Sequence, residues 1–431
     1  MRWSGRSAVV LLTAIMAAVF GAEGALGAGV VRAPAMANRL VGLTSMRAPG
    51  DIFAELSRVF CTSPGSCWAV GHHYGNGTAT LNQMLRWNGS KWRPFPVPEP
   101  GGTAVNDYNT LISVRCLSAR DCWAVGSAGK GGAGTGNQVL HWNGTKWSHI
   151  KAPTPGPTLS GDVNQLDDVN CVEPADCWAV GYYGMLSSNT FANQAMHWNG
   201  KKWSLITTPD PAGTATGHSN ELNAIRCVSA SSCIADGFDG NASSFNNEVL
   251  RWNGKKWSPQ TTPNPSGTTL GHDNELNGVA CSSSTSCWAA GTDGPQNPSM
   301  PVNEMLHWNG KKWFTTKVPN PATGTGAINA LLWVTCLSAS DCWAVGYHGH
   351  DGPPILFRND ALHWNGVKWS HVSSPNPGGT ATSGFNELAG IRCTSAANCW
   401  AVGVQVKNGH FADEILRWNG TKWTSVGIAA G

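Results

Sequence analysis

Four short runs between Leu111 and Ile150 alternate apolar and polar residues with a period of two. LISVRC (111–116), the run opening CWAV (122–125), QVLHW (138–142) and KWSHI (146–150) read as strands a, b, c and d of one antiparallel sheet. Asn143-Gly144, between the last two, is the dipeptide favoured by a two-residue type I′ hairpin, whose central positions both need positive φ. On that register Leu140 lies opposite Trp147, with Trp142 on the same face and Trp123 extending the layer. No segment beyond the N-terminal apolar run sustains a helical period.

The same pattern returns along the chain. The cysteines fall into C-x5-C pairs: Cys61 with Cys67, Cys116 with Cys122, Cys171 with Cys177, Cys227 with Cys233, Cys281 with Cys287, Cys336 with Cys342, and Cys393 with Cys399. None is left over, and successive pairs are 54 to 57 residues apart. Each pair is followed by a second signature, W-N-G-x-K-W, from RWNGSKW at Arg86 to RWNGTKW at Arg417. Repeats of this size are propeller blades; kelch units run to about 50 residues. Four strands taken seven times predict an all-β fold, a seven-bladed β-propeller, which manages sheet edges by radial repetition.

Each C-x5-C pair spans the a–b turn, where adjacent antiparallel strands bring facing α-carbons to about 4.5–5.5 Å, within disulfide reach. Zinc ligand pairs are usually closer in sequence and need partners nearby. One local disulfide per blade is therefore expected, contributing roughly 2 kcal/mol each. The N-terminus agrees with export. Arg2 and Arg6 precede the apolar run AVVLLTAIMAAVF (8–20), and small residues offer cleavage points after Gly27 or Ala37. That run is shorter than the ~20 residues of a spanning helix. The expected division is a signal peptide and cleavage region over 1–37, an N-terminal segment over 38–52 and the propeller over 53–431, in a secreted protein with no stable membrane insertion. LVGLTSMRAP (40–49) resembles a strand-d tail with its proline loop and is expected at the junction of blades 1 and 7.

Charged residues make up only 13% of the chain and the formal charge is +3, which excludes a basic nucleic-acid surface and an acidic solvating tail. The 22 tryptophans read as packing between neighbouring sheets, since each ring buries much apolar area for a single N–H. Asn88, Asn143 and Asn419 match the N-glycan acceptor triplet, which turn chemistry explains as well. No nucleophile motif, phosphate loop or recurring metal-ligand spacing is found. No cofactor, no metal and a monomeric state are expected.

Strand direction puts the short a–b and c–d turns on one face and the long b–c and d–a connections on the other. The d–a loops carry Pro-x-Pro, as at Pro209-Asp-Pro211 and Pro375-Asn-Pro377, and lead into strand a through Asn-Glu-Leu at Asn220, Asn274 and Asn386. Loops on a rigid scaffold concentrate binding groups, so the long-loop face is the candidate surface. Blades break their common pattern there. The departures are His72 and Tyr74 in blade 1, Tyr182 and Tyr183 in blade 3, Asp236 (at a usual Val position) and Asp239 in blade 4, His272 in blade 5, and Tyr347, His348 and Asp351 in blade 6. Tyr182 and Tyr347 are expected to offer contact area that can be removed with little loss of stability.

The repeated C-x5-C-W-A-V-G and W-N-G-x-K-W units resemble the secreted seven-bladed propellers of actinobacteria typified by dispase autolysis-inducing protein. That resemblance, over residues 53–423, implies an extracellular, non-catalytic protein acting by contact with other proteins, secreted proteases among them. The G-x-K-W ending is also similar to the Asp-box hairpin of sialidase-like propellers, but Trp142 stands in place of the Asp and Lys146 in place of the Thr, so no catalytic residue carries over. Two readings follow. One is a binding or scaffold propeller for an extracellular protein or cell-wall polysaccharide. The other is a glycan-active hydrolase or lyase, which needs two carboxylates converging across the mouth, with Asp239, Asp273 and Asp351 as candidates.

Overall fold

A computed structural model of the chain describes residues 53–74, 79–241, 243–296, 300–350, 356–380, 384–407 and 409–429. The signal region, the 38–52 segment and Asp351 lie outside the described residues. Among those described, 28 strands in the order a-b-c-d build seven blades. Blade 1 comprises Ala54–Ser63, Ser66–Tyr74, Thr80–Trp87 and Trp92–Pro94. Blade 2 comprises Tyr108–Ser118, Asp121–Gly129, Gly136–Trp142 and Trp147–His149. Blades 3 to 7 occupy 162–206, 218–259, 272–315, 327–371 and 385–425. Strand a of each blade borders strand a of the next, and blade 7 borders blade 1, so the sheets form a closed ring.

All seven cysteine pairs are bridged across strands a and b. Cys61 is bonded to Cys67, Cys116 to Cys122, Cys171 to Cys177 and Cys227 to Cys233. Cys281 is bonded to Cys287, Cys336 to Cys342 and Cys393 to Cys399. Their α-carbons stand 3.9–4.0 Å apart, closer than the spacing expected of facing strands. The difference has a local cause, since the strand register slips at the turn immediately beyond each pair and draws the two strands together. The second cysteines (Cys67, Cys122, Cys177, Cys233, Cys287, Cys342 and Cys399) are all buried and pack within the hydrophobic clusters between blades. Each expected local bridge is thus present, with at least one of its two cysteines in the core.

Strand a carries a bulge; in blade 2 the register skips between Leu111 and Ser113. This presses the Thr110 carbonyl onto Gly126, where a Cβ would sit 1.9 Å from the oxygen. The glycine of Cys-Trp-Ala-Val-Gly is thus a steric requirement.

The c–d tip differs from the expected type I′ turn. Trp142 pairs with Trp147, and Leu140 with His149. Gly144 alone has positive φ, while Asn143 uses its side chain, Oδ1 accepting from the N–H groups of Thr145 and Lys146 at 3.0 and 3.1 Å. Asn-Gly here opens a side-chain-stabilised four-residue turn, Asn143 to Lys146, two residues longer on its C-terminal side than the expected hairpin, which moves every partner across it.

The tryptophans link neighbouring blades. Trp142 and Trp147 receive Trp68 of blade 1, whereas Trp123, expected in their layer, points from the opposite face into Trp198 and Trp203 of blade 3. At six of the seven seams a strand-b Trp stands edge-on to the next blade's strand-d Trp, at 5.3–5.4 Å and 81–90°. Ile234 takes the strand-b place in blade 4 and packs with Trp308 and Trp313.

Polar residues complete each seam. The Asn of strand c donates to the strand-c amide or acid of the following blade, as Asn82 does to Gln138 (3.3 Å), Asn137 to Gln194 (2.8 Å), Asn193 to Glu248 (2.6 Å) and Asn303 to Asp360 (2.8 Å). Asn247 and Asn359 donate likewise to Glu304 and Glu414, and Gln83 donates to Asp413 where blade 7 meets blade 1. The same Asn side chains donate to the first proline carbonyl of the Pro-x-Pro loop, Asn193 to Pro209 at 2.9 Å. Asn220 at the start of strand a clamps that loop from the other side, accepting from Ala212 N (2.9 Å) and donating to Gly213 O (2.9 Å). Asn109, Asn164, Asn274 and Asn386 repeat the clamp.

Blade 7 owns its strand d, so among the described residues no strand is exchanged to close the ring. Trp400 fits between Trp87 and Trp92 of blade 1, and the C-terminal tail crosses over, Ile428 bridging to Trp92 and Ala429 N donating to Trp92 O at 2.9 Å.

Candidate functional site

Strands a line the ring axis. The residue before the first cysteine of each pair faces inward: Phe60, Arg115, Asn170, Arg226, Ala280, Thr335 and Arg392. Two positions deeper, Arg58, Ser113, Asp168 and Trp333 fill the bore, leaving a cavity of about 50 Å³. Glycines make room for the two large groups. A Cβ on Gly278 would come within 2.8 Å of the Trp333 ring, and one on Gly390 within 3.0 Å of the Arg58 backbone. Arg58 lies 3.8 Å over Trp333 and donates to Ala389 O (2.7 Å) and Ser57 O (2.9 Å). Asp168 accepts from Ser113 Oγ (2.6 Å) and Ile225 N (2.9 Å).

At the short-turn end, half-buried Arg115 and Arg392 flank Phe60 at 4.6 and 4.5 Å. Burial, then repulsion from Arg226 and Arg392, pushes Arg115 well down; burial and Arg226 push Arg392 to about 10. The axis is a plugged, cation-rich channel with no room for a sugar. Sequence reasoning missed it, though the signal was present in the blade-to-blade variation beside the first cysteine.

The long-loop face is a rim of connected loops. Among the described residues several b–c loops bond the adjacent d–a loop through the backbone, as in Gly132 N to Asn106 O (3.0 Å), Gly134 N to Thr158 O (3.1 Å), Leu186 N to Gly161 O (2.9 Å) and Gly271 N to Ser243 O (2.8 Å). On this rim Val105, Leu159 and Leu270 are 63%, 73% and 79% exposed, and Met185 on blade 3 is exposed as well.

The structure moves several expected site residues inside. Strand b does not end at the Gly but continues to Met185 in blade 3 and His350 in blade 6, so alternation turns Tyr182 and Tyr347 inward, 1% and 3% exposed. Tyr182 packs with Val163 and Phe191, Tyr347 with Ile328, Leu332 and Phe357. His72 is buried between Phe53 and Tyr74, and burial pushes it down to about 3; Tyr74 is buried against Phe53. Asp236 is fully buried with neither oxygen accepting from a neighbouring residue, and burial followed by repulsion from Asp168 pushes it well above the usual carboxylate range. These are core groups. Tyr183 and His272 remain half-buried at the long-loop end.

The carboxylates are engaged locally. Asp239, half-buried and pushed up to about 6 by burial, acts on Glu248 of its own blade; Asp273 accepts from Gln296 at 2.6 Å. His348 joins Asp360 and His371, with one donor atom from each within 4.8 Å of the others, a grouping that sequence spacing did not show.

No family model and no curated protein matches the sequence. Solved structures do match. The GH74 xyloglucanase of Xanthomonas campestris aligns over 88% of this chain and 55% of its own, at 14% identity and a TM-score of 0.50. A puromycin-hydrolysing peptidase of Mycobacterium tuberculosis aligns over 86% of this chain and 52% of its own, at 8% identity and 0.50. The propeller domain of the Trilobed protease from Pyrococcus furiosus aligns over 88% and 98%, at 8% identity and 0.47. The chain thus spans about half the length of the first two enzymes, and likeness at such identity establishes the propeller fold alone.

Proposed function

We propose that this protein is a secreted, non-catalytic binding propeller that holds an extracellular protein on its long-loop rim. The observation that carries this reading is the rim itself: aliphatic side chains displayed on loops that are bonded from blade to blade. Pre-ordered loops lower the entropic cost of association, and desolvating Val105, Leu159 and Leu270 supplies apolar area. Sugars are bound chiefly on aromatic faces, yet Tyr182 and Tyr347 are buried. A protein partner therefore fits better than a polysaccharide, and a secreted protease is the first to test. Seven disulfides suit an oxidising, non-cytoplasmic compartment. No helix among the described residues is long and apolar enough to cross a membrane.

Proteins from the spent culture medium should be retained by immobilised native chain and lost from a Val105→Asp/Leu159→Asp/Leu270→Asp variant with an unchanged melting temperature. Retention indifferent to those changes would remove the rim from consideration. The alternative, a glycan hydrolase or lyase, rests on Asp239, whose raised pKa suits a general acid. It requires polysaccharide turnover that Asp239→Asn abolishes.

A further inference from the structure

Blade 6 carries a set of donors that the other blades do not repeat. Strand b (Asp341–His350) contributes His348, strand c (Leu356–Trp364) Asp360 and strand d (Trp369–His371) His371. Gly346 pairs with Asp360 and Leu362 with His371, so the two-residue alternation puts all three on one face of the sheet. That face meets blade 5, where Leu362 packs with Trp288 and Met305. In the same three positions blade 3 has Tyr183, Gln194 and Leu205, and blade 5 has Asp293, Glu304 and Thr315. Asp360 is one methylene shorter than the Glu or Gln of the other seams, which leaves space beside it for two imidazoles.

The polar atoms there are incompletely used. His348 Nδ1 and Asp360 Oδ1 are buried without a hydrogen-bond partner. His371 Nε2 stands 3.7 Å from Asp360 Oδ1, too far for a hydrogen bond. It is close to the roughly 3.4 Å between two ligands of one tetrahedral zinc ion with bonds of about 2.1 Å. The other carboxylate oxygen is held at 2.8 Å by Asn303 of blade 5, the outer-sphere support that metal-bound carboxylates commonly have. Arg358 lies directly opposite His348 across strands b and c.

We propose that His348, Asp360 and His371 bind one divalent ion of the zinc type, with a fourth coordination position open to solvent beside the partly exposed His371. Two imidazoles and one carboxylate form a donor set that selects zinc or cobalt over calcium and magnesium. The ion ties strands b, c and d of blade 6 together at the seam with blade 5. This proposal stands apart from the rim-binding reading and needs no partner.

The test uses the full chain, treated with chelator and titrated with cobalt(II). The expected result is visible ligand-field absorption saturating at one equivalent and displaced by one equivalent of zinc. His348→Ala, His371→Ala and Asp360→Asn should each weaken uptake about tenfold or more. Asp360→Asn keeps an acceptor for Asn303, and circular dichroism of the metal-free variants guards against misfolding. Arg358→Gln, which removes a cation beside His348, should tighten binding. His197→Ala, whose imidazole pairs with Asp176 at 2.8 Å in blade 3, should change nothing. Absence of saturable uptake, or uptake undiminished in the three ligand variants, overturns the proposal.

Discussion

At the scale of single residues, the seams explain why so many acids are buried. Asn137 and Gln194 make a reciprocal pair, each amide N–H donating to the other's oxygen at 2.8 and 3.1 Å. Where Glu248, Glu304 or Glu414 replaces the Gln, only one of those bonds remains, and Oδ1 of Asn193, Asn247 and Asn359 has no donor. A proton on the carboxyl restores the second bond, and burial pushes these three acids well above their ordinary range. Asp360 and Asp413 are raised to about 7 and Glu387 to about 8. Because the folded pKa exceeds the unfolded one, this stabilisation is complete below about pH 4 and is lost as pH rises through 7 to 8. His72 acts in reverse, its contribution fading as pH falls from 6.5 toward 3. The melting temperature should therefore be higher at pH 6 than at pH 8.5. Replacing all three glutamates by Gln should remove much of that difference, raising the value at pH 8.5 and leaving it nearly unchanged at pH 5. A second expectation concerns Tyr182: its truncation to Ala empties a packed site and should cost about 3–5 kcal/mol in denaturant unfolding, by analogy with Phe→Ala.

At the scale of strands and turns, the sequence is legible where one local rule decides the outcome. Cysteine spacing identified the a–b hairpins and their bridges, and two-residue alternation located strands a to d, because both signals lie within a dozen residues. How closely Cys61 and Cys67 approach was not legible, because the slip in register beyond them leaves no mark on their spacing. The c–d tip was misread because Asn143 acts through its side chain, and the dipeptide alone cannot separate that from a positive-φ turn. Tyr182 and Tyr347 turn inward because strand b runs on past its glycine, an extension that CWAV alone does not reveal; Gly181 is where strand a comes close, not where strand b stops. The variable residue beside each first cysteine marks where the axis lies, but the contacts of the plug and the grouping of the blade 6 donors are not legible. Arg58 meets Trp333 across more than half the chain, and His348, Asp360 and His371 join only once three strands are in register. Among these contacts the tail is the most accessible to experiment. Truncation after Ser425 removes Val426, Ile428 and Ala429 from the blade 7–blade 1 seam, and should lower the melting temperature while leaving every disulfide intact.

At the scale of the molecule, the disulfides and the ring are independent devices. Each bridge closes a loop inside one blade, so none holds one blade to another. Cohesion between blades rests on the tryptophan contacts, the strand-c pairs and the loop clamps. Reduction should accordingly destabilise blades individually without first opening the circle, which limited proteolysis of the reduced protein can read. The seventh seam uses the same kinds of contact as the others, Trp400 between Trp87 and Trp92 and Gln83 on Asp413, with no d–a loop crossing it among the described residues. Seen this way, the chain ends mark a place on a circle that has no physical beginning. A permuted gene that opens the loop before Asn274 and joins the native ends by a short flexible linker should yield the same fold, with all seven bridges and a melting temperature within a few degrees of the original.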